Sequence, residues 1–429
     1  MDPALNAADT AWMLVSTALV LLMTPALAFF YGGMVRGKNA LNTMMMCVSA
    51  LGFVGLTWAL AGYSLAFAPG SDFTGGLTHL MLRGVGLEAQ GTIPRILFFA
   101  YQGTFAIITA ALISGAIVER MKFRAYLLFV TLWSLAVYAP VAHWVWGGGF
   151  LGRLGALDFA GGTVVHVNAA VAAWVAAVQM GARKDYARQA LLPHNVPFTL
   201  LGAGLLWFGW FGFNGGSALG ASPAAALAFA NTFLAPMATL VVWTLLDLQR
   251  TRKATAVGAA TAIVVGLVAI TPAAGFVSPL SSLAIGALAA FPSYFALLWR
   301  ARTRLDDSLD VVAAHGLGGT VGALLTGVFA ERAWGSPADG WLLGNGRQMA
   351  IQALALAAVA AYSAVASFAL LKVVSLITPL RVSKREEGLG LDVSQHGEEA
   401  YVRGEGALLI LPETLKPQAA RAVATLEVA

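Results

Sequence analysis

The sequence predicts an all-α, polytopic membrane protein, and three observations carry that prediction. Of 429 residues, 59% are hydrophobic and only 11% charged, with a mean hydropathy of +0.75. A water-soluble domain carries about twice that charged fraction. Apolar runs of roughly 20 residues, each long enough to cross a bilayer, recur from Ala11 to Ile377. Basic residues crowd into alternate loops between those runs. A β-barrel would read instead as strands of roughly 10 residues with alternating polarity.

Eleven spans follow in order. The first, 11–33, stops before Arg36 and Lys38, and the second, 41–66, resumes after them. The third, 96–118, and fourth, 126–145, flank Arg120, Lys122 and Arg124. The fifth, 161–180, opens after Asp158 and closes before Arg183 and Lys184. The sixth, 198–218, ends in "FGFNGGSA", and the seventh, 225–246, stops short of Arg250. The eighth, 255–271, and ninth, 280–299, form one long uncharged run, divided at "TPAAGFVSP" by Pro272 and Pro279. The tenth is 309–330. The last and longest, 349–377, precedes a polar tail.

Orientation comes from Lys and Arg in the loops. One set carries Arg36, Lys38, Arg120, Lys122, Arg124, Arg183, Lys184, Arg188, Arg250, Arg252, Lys253, Arg300, Arg302 and Arg304, which is fourteen. The other carries Arg83, Arg95, Arg153, Arg332 and Arg347, which is five. The fourteen are expected in the cytoplasm, with the N-terminus outside and the tail inside. The start "MDPALNAADTAW" lacks the basic n-region of a signal peptide, so the first span is read as retained. Residues 1–380 make the membrane domain and 381–429 a cytoplasmic tail too short for a second large domain. Cys47, the only cysteine, lies in the second span and excludes an intramolecular disulfide. The pI near 9.4 reflects cytoplasmic loops facing an anionic inner leaflet, and no nucleic acid is expected.

A faint internal repeat runs through the chain. The first span ends "FFYGG" and the sixth "FGFNGG"; the fifth holds "GGTVVHVNAAVAA" and the tenth "AAHGLGGTVGALL". Two five-helix halves so related sit inverted in the membrane, and such repeats place their site near the midplane. Small residues at tight helix contacts account for the same strings without a repeat.

Two histidines lie well inside spans. His166 is eight residues past Asp158, about 12 Å below the outer surface at the helical rise, and His315 is roughly 9 Å from the inner surface. In a hydrocarbon core about 30 Å thick they fall at similar depth. A lone intramembrane histidine serves as a hydrogen-bonding strut. Two at matching depth point to a shared site on a pathway. A metal site lacks a third ligand at that depth, and catalysis lacks a serine or cysteine nucleophile with a triad. The expectation is therefore no cofactor, no metal and no enzyme. A neutral imidazole offers one donor and one acceptor, so two in contact can pass a proton or a small polar solute.

Asp158 before "FAGGT" reads as an N-cap whose carboxylate accepts backbone N–H bonds. Direct contact with a ligand is the other reading. Aromatic residues gather near the same outer level: Trp144 and Trp146 in "AHWVWGGG", Phe105 in "YQGTF", and Phe213 one turn below Ser217 in "WFGWFGFNGGS". An interfacial aromatic belt explains such residues. A cation–π cup over dry phenyl rings explains them too.

At these residues the chain resembles the ammonium transporter family (Amt/Mep/Rh), on its Amt branch. The strings that carry the resemblance are "FFYGGMVRGKN", "YQGTFAIITAAL", "AHWVWGGG", "DFAGGTVVHVNA", "WFGWFGFNGGSA", "HGLGGTVGALLTG" and "RVSKREEGLGLDVSQHGEEAY". They occur in family order over roughly residues 11 to 401. The resemblance implies eleven helices, inverted halves and a homotrimer with one pore per subunit. It implies that Trp146, Phe105 and Ser217 recruit ammonium, or methylammonium as an analogue, with Asp158 in support. Phe105 and Phe213 would be the stacked gate with Trp210 below, and His166 and His315 the twin pore histidines. It also implies a PII-type signalling partner and a bacterial or archaeal inner membrane. The expected function is ammonium transport. The alternatives are an ammonium sensor that transports little, or a neutral gas channel for ammonia or carbon dioxide. The stretch after Tyr401 extends past the family's tail motif and leaves tail-dependent regulation open.

Overall fold

The structure, a computed structural model, describes residues 5–401. Among them ten helices are long and apolar enough to cross a membrane. They are α1 (Ala7–Met34), α2 (Gly37–Phe67), α3 (Arg95–Ala116), α4 (Phe123–Leu154), α5 (Gly162–Met180), α6 (Val196–Ala218), α7 (Pro223–Thr251), α9 (Pro279–Arg300), α10 (Val312–Phe329) and α11 (Gly346–Ile377). The expected eighth span is shorter. Its helix, α8 (Ala256–Ile270), has 15 residues, about 22 Å at the helical rise. Turns from Thr271 then carry the chain to Ser278, whose hydroxyl accepts the Ser281 N–H at 3.1 Å and starts α9. Ten crossings of full length and one short helix therefore stand where eleven full spans were expected.

The short helix has a positional reason. The turn after α8 packs on the start of α5: Phe159 N–H donates to the Pro272 carbonyl at 3.1 Å. A Cβ at Gly162 would collide with the Pro272 ring. Ending α8 early leaves room for the N-terminus of α5 to be capped from inside the molecule.

Helix α1 makes its most extensive contact with α6. Gly202 allows it, because a Cβ there would meet the Phe30 backbone. Helices α5 and α10 meet as closely. A Cβ on Gly319 would stand 3.0 Å from the Gly162 carbonyl and 3.1 Å from His166 Cβ. These two pairings, first with sixth and fifth with tenth, are those the repeat reading expects at its axis. Helices α7, α8 and α9 form a second packed group around Ala235, Ala262 and Ala289. Thr239 in α7 donates to the Gly286 carbonyl of α9 at 2.7 Å and ties that group together.

Both α5 and α10 begin with a π-helical turn, at Gly162–Val167 and Val312–Leu317. Such turns recur at functional sites because the wider coil redirects one side chain. Each of these two carries a histidine.

At the basic end, loops and tail interlock. Glu119, with a left-handed φ of 66°, is fully buried between Arg183 (2.7 Å) and Arg36 (3.1 Å). Asp306 accepts Arg183 Nη2 at 2.8 Å. Arg120, also fully buried, donates to the Asp306 carbonyl at 2.5 Å and to Ser308 Oγ at 2.6 Å. The tail runs across this cluster. Lys122 N–H donates to the Leu380 carbonyl (2.8 Å) and Val382 N–H to the Arg120 carbonyl (3.0 Å). Ser383 and Glu386 form a capping box at the start of the short helix α12 (Lys384–Leu389). Beyond it, Asp392 accepts the N–H groups of Leu41 (3.1 Å) and Asn42 (2.7 Å) at the start of α2. The extension after Tyr401, singled out in the sequence, lies outside the described residues.

Candidate functional site

Asp158 caps α5 more completely than its sequence context implies. Its Oδ1 accepts the N–H groups of Gly161 (2.9 Å) and Gly162 (2.7 Å). Its Oδ2 accepts those of Thr163 (2.9 Å) and Val164 (3.0 Å). A helix start leaves four N–H groups without partners, and here one carboxylate takes four. Gly161 makes the approach possible with a φ of 115°, a conformation that favours glycine. The carboxylate is thus turned into the helix. The backbone carbonyl of Asp158 faces outward and accepts the Trp146 indole N–H at 2.8 Å.

Trp146 stands edge-on to Phe105, with ring centroids 6.1 Å apart and planes at 90°. Ser217 belongs to the same neighbourhood through Tyr101. The Tyr101 hydroxyl donates to the Phe213 carbonyl at 2.9 Å and lies 3.3 Å from Ser217 Oγ. The Ser217 hydroxyl donates to the Phe213 carbonyl at 2.8 Å. Its hydrogen is therefore committed to the helix, and its oxygen presents lone pairs outward. An indole ring face and a hydroxyl oxygen suit a small cation with N–H donors.

Below them Phe105 and Phe213 stack at 4.2 Å with 28° between planes. Both are buried. Phe213 then stacks on His166 at 6.1 Å and Trp210 on His166 at 5.4 Å. Trp210 is held by its indole N–H, which donates to Thr271 Oγ1 at 2.9 Å. His166 and His315 lie ring to ring at 5.2 Å, with their Nδ1 atoms 3.2 Å apart. That contact requires one ring to carry hydrogen on Nδ1 and the other to accept there. His166 Nε2 is buried and finds no hydrogen-bond partner among the described residues. Beyond His315 a cavity of about 250 Å³ opens, lined by Tyr31, Trp243, Asp247 and Asp310 among others. It lies at the end of the molecule that carries the basic loops.

Eight of the residues singled out in the sequence thus form one succession of contacts: Trp146, Ser217 and Asp158 at its top, Phe105 and Phe213 next, then Trp210, His166 and His315. Trp144 stands apart, its indole N–H donating to the Phe73 carbonyl at 2.7 Å and its ring packing on Phe150 and Tyr362. Sequence reasoning missed Tyr101, Thr271 and Asp307. Nothing local marks the first two, because their partners are more than 60 positions away. Asp307 had a readable signal. It precedes His315 by eight residues, as Asp158 precedes His166, and its Oδ2 accepts the Val312 N–H at 2.7 Å at the start of α10. The repeat therefore includes the cap as well as the histidine. No cluster of three metal-ligating side chains occurs among the described residues.

Comparison with known proteins adds the family. The model of the Ammonium Transporter Family matches residues 11–401. The ammonium transporter of Bacillus subtilis is 48% identical over 398 residues, covering 92% of this chain and 98% of that protein. The crystal structure of Candida albicans Mep2 superimposes with a TM-score of 0.84 at 37% identity, covering 89% of this chain and 88% of that one. A solved structure titled sensor Amt protein gives a TM-score of 0.84 at 28% identity, over 91% of this chain and 98% of that one. A match of this extent, on a helical bundle that buries a paired-histidine line between its halves, is the ground for one conclusion: this multi-pass membrane protein belongs to the Ammonium Transporter Family.

Proposed function

We propose that the chain binds ammonium at Trp146, Phe105 and Ser217, strips it of a proton there, and conducts ammonia and the proton inward past the histidine pair. The observation that carries this reading is the continuous series of ring contacts from Trp146, edge to face with Phe105, through the stacked Phe105, Phe213 and His166 to His315, ending in the 3.2 Å contact between Nδ1 atoms. A bare cation in a lumen walled by phenyl rings loses its solvation at a cost of several kcal/mol or more. Ammonia does not carry that penalty. The cation therefore gives its proton to water at the outer mouth, which passes it on toward His166 by hydrogen-bonded transfer, while ammonia crosses the phenyl pair that acts as the gate. Trp210 lines the lumen below it. His166 accepts a proton at Nε2, gives its Nδ1 hydrogen to His315, and His315 releases one into the inner cavity, where ammonia recombines with it. Asp158 supports the outer site by its negative charge and by holding the α5 terminus, without touching the cation.

The same reading puts the protein in the cytoplasmic membrane, with the N-terminus outside and residues 381–429 as a cytoplasmic tail on a membrane domain of residues 1–380. It is a homotrimer with one pore per subunit. A PII-type signalling protein is its partner on the basic face. It needs no cofactor, binds no nucleic acid and catalyses no covalent reaction beyond proton transfer.

Current recordings from purified protein in a planar lipid bilayer, with ammonium pulses, test the reading. A sustained inward current is expected. A brief transient alone would make the chain a sensor, and ammonia flux without current would make it a neutral gas channel.

A further inference from the structure

His143 takes no part in the lumen. It lies in the last turn before the helical bonding of α4 breaks at Val145, three residues ahead of Trp146, and is 1% exposed. Both nitrogens of its ring meet carbonyl oxygens. Nδ1 lies 2.9 Å from the Ala66 carbonyl, in the last turn of α2. Nε2 lies 2.8 Å from the Ser71 carbonyl, in the outer loop that follows. A carbonyl oxygen only accepts, so each nitrogen at that distance has to donate. A neutral imidazole has a single N–H and would set its other lone pair against an oxygen. The surroundings supply what a buried cation needs. The end of α2 and the end of this stretch of α4 meet at the ring, and the negative end of a helix dipole favours a charged histidine. Asp72, next to Ser71, is paired with Arg153.

The ring ties three pieces of chain together beside the outer site. Three successive loop carbonyls accept from the end of α4: Ser71 from His143, Asp72 from the Phe150 N–H at 3.1 Å, and Phe73 from the Trp144 indole at 2.7 Å. Of these three donors only His143 also reaches α2. Past Trp146 the chain folds back on the same residue, and the N–H groups of Gly147 (3.0 Å) and Gly149 (2.9 Å) donate to the His143 carbonyl. A Cβ on Gly147 would stand 2.7 Å from His143 Nδ1 and collide with the Ala66 carbonyl, so the turn is closed onto the ring. We propose that His143 is an imidazolium, with hydrogen on both nitrogens, and that it positions Trp146 by clamping the end of α4 to α2 and to the outer loop. The Trp146 indole is held from Asp158, and the Trp146 backbone from His143. The positioning rests on the reading of Trp146 as a binding residue; the protonation does not.

Solid-state 15N NMR of the wild-type protein in lipid bilayers tests the protonation. His143–Trp144 is the only His–Trp pair in the sequence, so 13C,15N-labelled histidine with 15N-labelled tryptophan singles out this ring without a substitution. At pH 8 an unperturbed histidine is neutral. The His143 ring is expected to show hydrogen on both nitrogens there, and one bare nitrogen would overturn the proposal. Currents from protein in a planar bilayer, titrated with ammonium, test the positioning. H143Q offers one nitrogen where the ring offers two. It should raise the half-saturating ammonium concentration roughly tenfold and lower the maximal current much less, because the lumen below Phe105 is untouched. H143K keeps the charge and can donate to both carbonyls, so it should shift half-saturation by less than about threefold. A folded H143Q with wild-type half-saturation, or a folded H143K shifted as far as H143Q, would overturn the positioning. Should neither variant fold, the wild-type spectrum still decides. A wild-type protein without ammonium current would count against the transport reading alone, because the spectrum is read without transport.

Discussion

Trp146 is fixed by one hydrogen bond, from its indole N–H to the Asp158 carbonyl, so its ring face is presented without a loop having to order. Trp146→Leu keeps apolar bulk and removes the face. A desolvated cation–π contact is worth about 2 kcal/mol, so ammonium affinity should fall roughly 30-fold with little change in Tm. Unchanged competition by methylammonium would remove Trp146 from the binding site. Asp158 argues differently. Its cap was legible from the sequence, but not that each carboxylate oxygen takes two N–H groups, which depends on the wide first turn of α5. Asparagine keeps one acceptor oxygen and turns an NH2 group toward two N–H donors. Asp158→Asn should therefore lower Tm, and Asp158→Ala should lower it further, each buried N–H left alone costing about 1–3 kcal/mol. An asparagine variant as stable as wild type would contradict the four-bond cap. For the histidines, His315→Ala should keep the fold, because the ring borders the inner cavity and its loss only enlarges that cavity, and should abolish sustained ammonium current. Wild-type current in that variant would make the pair a strut.

At the scale of elements, the sequence told which segments are helices and left unread how they begin. Apolar runs located eleven spans, of which ten are helices of full crossing length and one is the shorter α8, and glycine-rich strings marked α5 and α10 as close-packed. The π-helical turns at 162–167 and 312–317 leave no such trace, since they depend on Asp158 and Asp307 arriving from outside the helix. Pro272 and Pro279 did mark the end of α8, read at 271 against Ile270 in the structure; what the sequence left unread is that the turns after it pack against the start of α5. Contact between α5 and α10 can be tested by one methyl group. Gly319→Ala would set a Cβ 3.1 Å from His166 Cβ and 3.0 Å from the Gly162 carbonyl, so the helices must part by a few tenths of an ångström. The expected result is a folded protein, a Tm lower by a few degrees, and a severalfold loss of ammonium current as the imidazoles separate. Full current with an unchanged Tm would show that the pair tolerates looser spacing.

Across the whole molecule, the basic residues that set the orientation turn out to have structural work as well. Arg36, Arg120 and Arg183 are drawn inside by Glu119 and Asp306, a pairing invisible in sequence because 64 and 123 positions separate Arg183 from those partners. Burial pushes the Glu119 carboxyl up, but the Arg183 and Arg36 guanidinium groups outweigh it and hold the pKa at about 2. An unfolded glutamate titrates near 4.3. Because the folded value is the lower one, ionised Glu119 contributes stability that is complete above about pH 4.3 and is lost as pH falls toward 2. Wild-type Tm should decline over that window. E119Q should start lower at pH 7 and decline less, and parallel curves would refute the assignment. A different limit on the whole molecule comes from its smallest contact. A hydrogen bond between two Nδ1 atoms points one way at a time. In the proposed relay, an inward proton landing on His166 Nε2 pushes the shared hydrogen across, and His315 loses the one on its far nitrogen. The arrow is then reversed, and the next inward proton finds its landing nitrogen occupied. In that relay throughput would be set by how quickly the arrow swings back, however many ammonium ions wait outside: the pore would keep a one-bit memory of its last passenger.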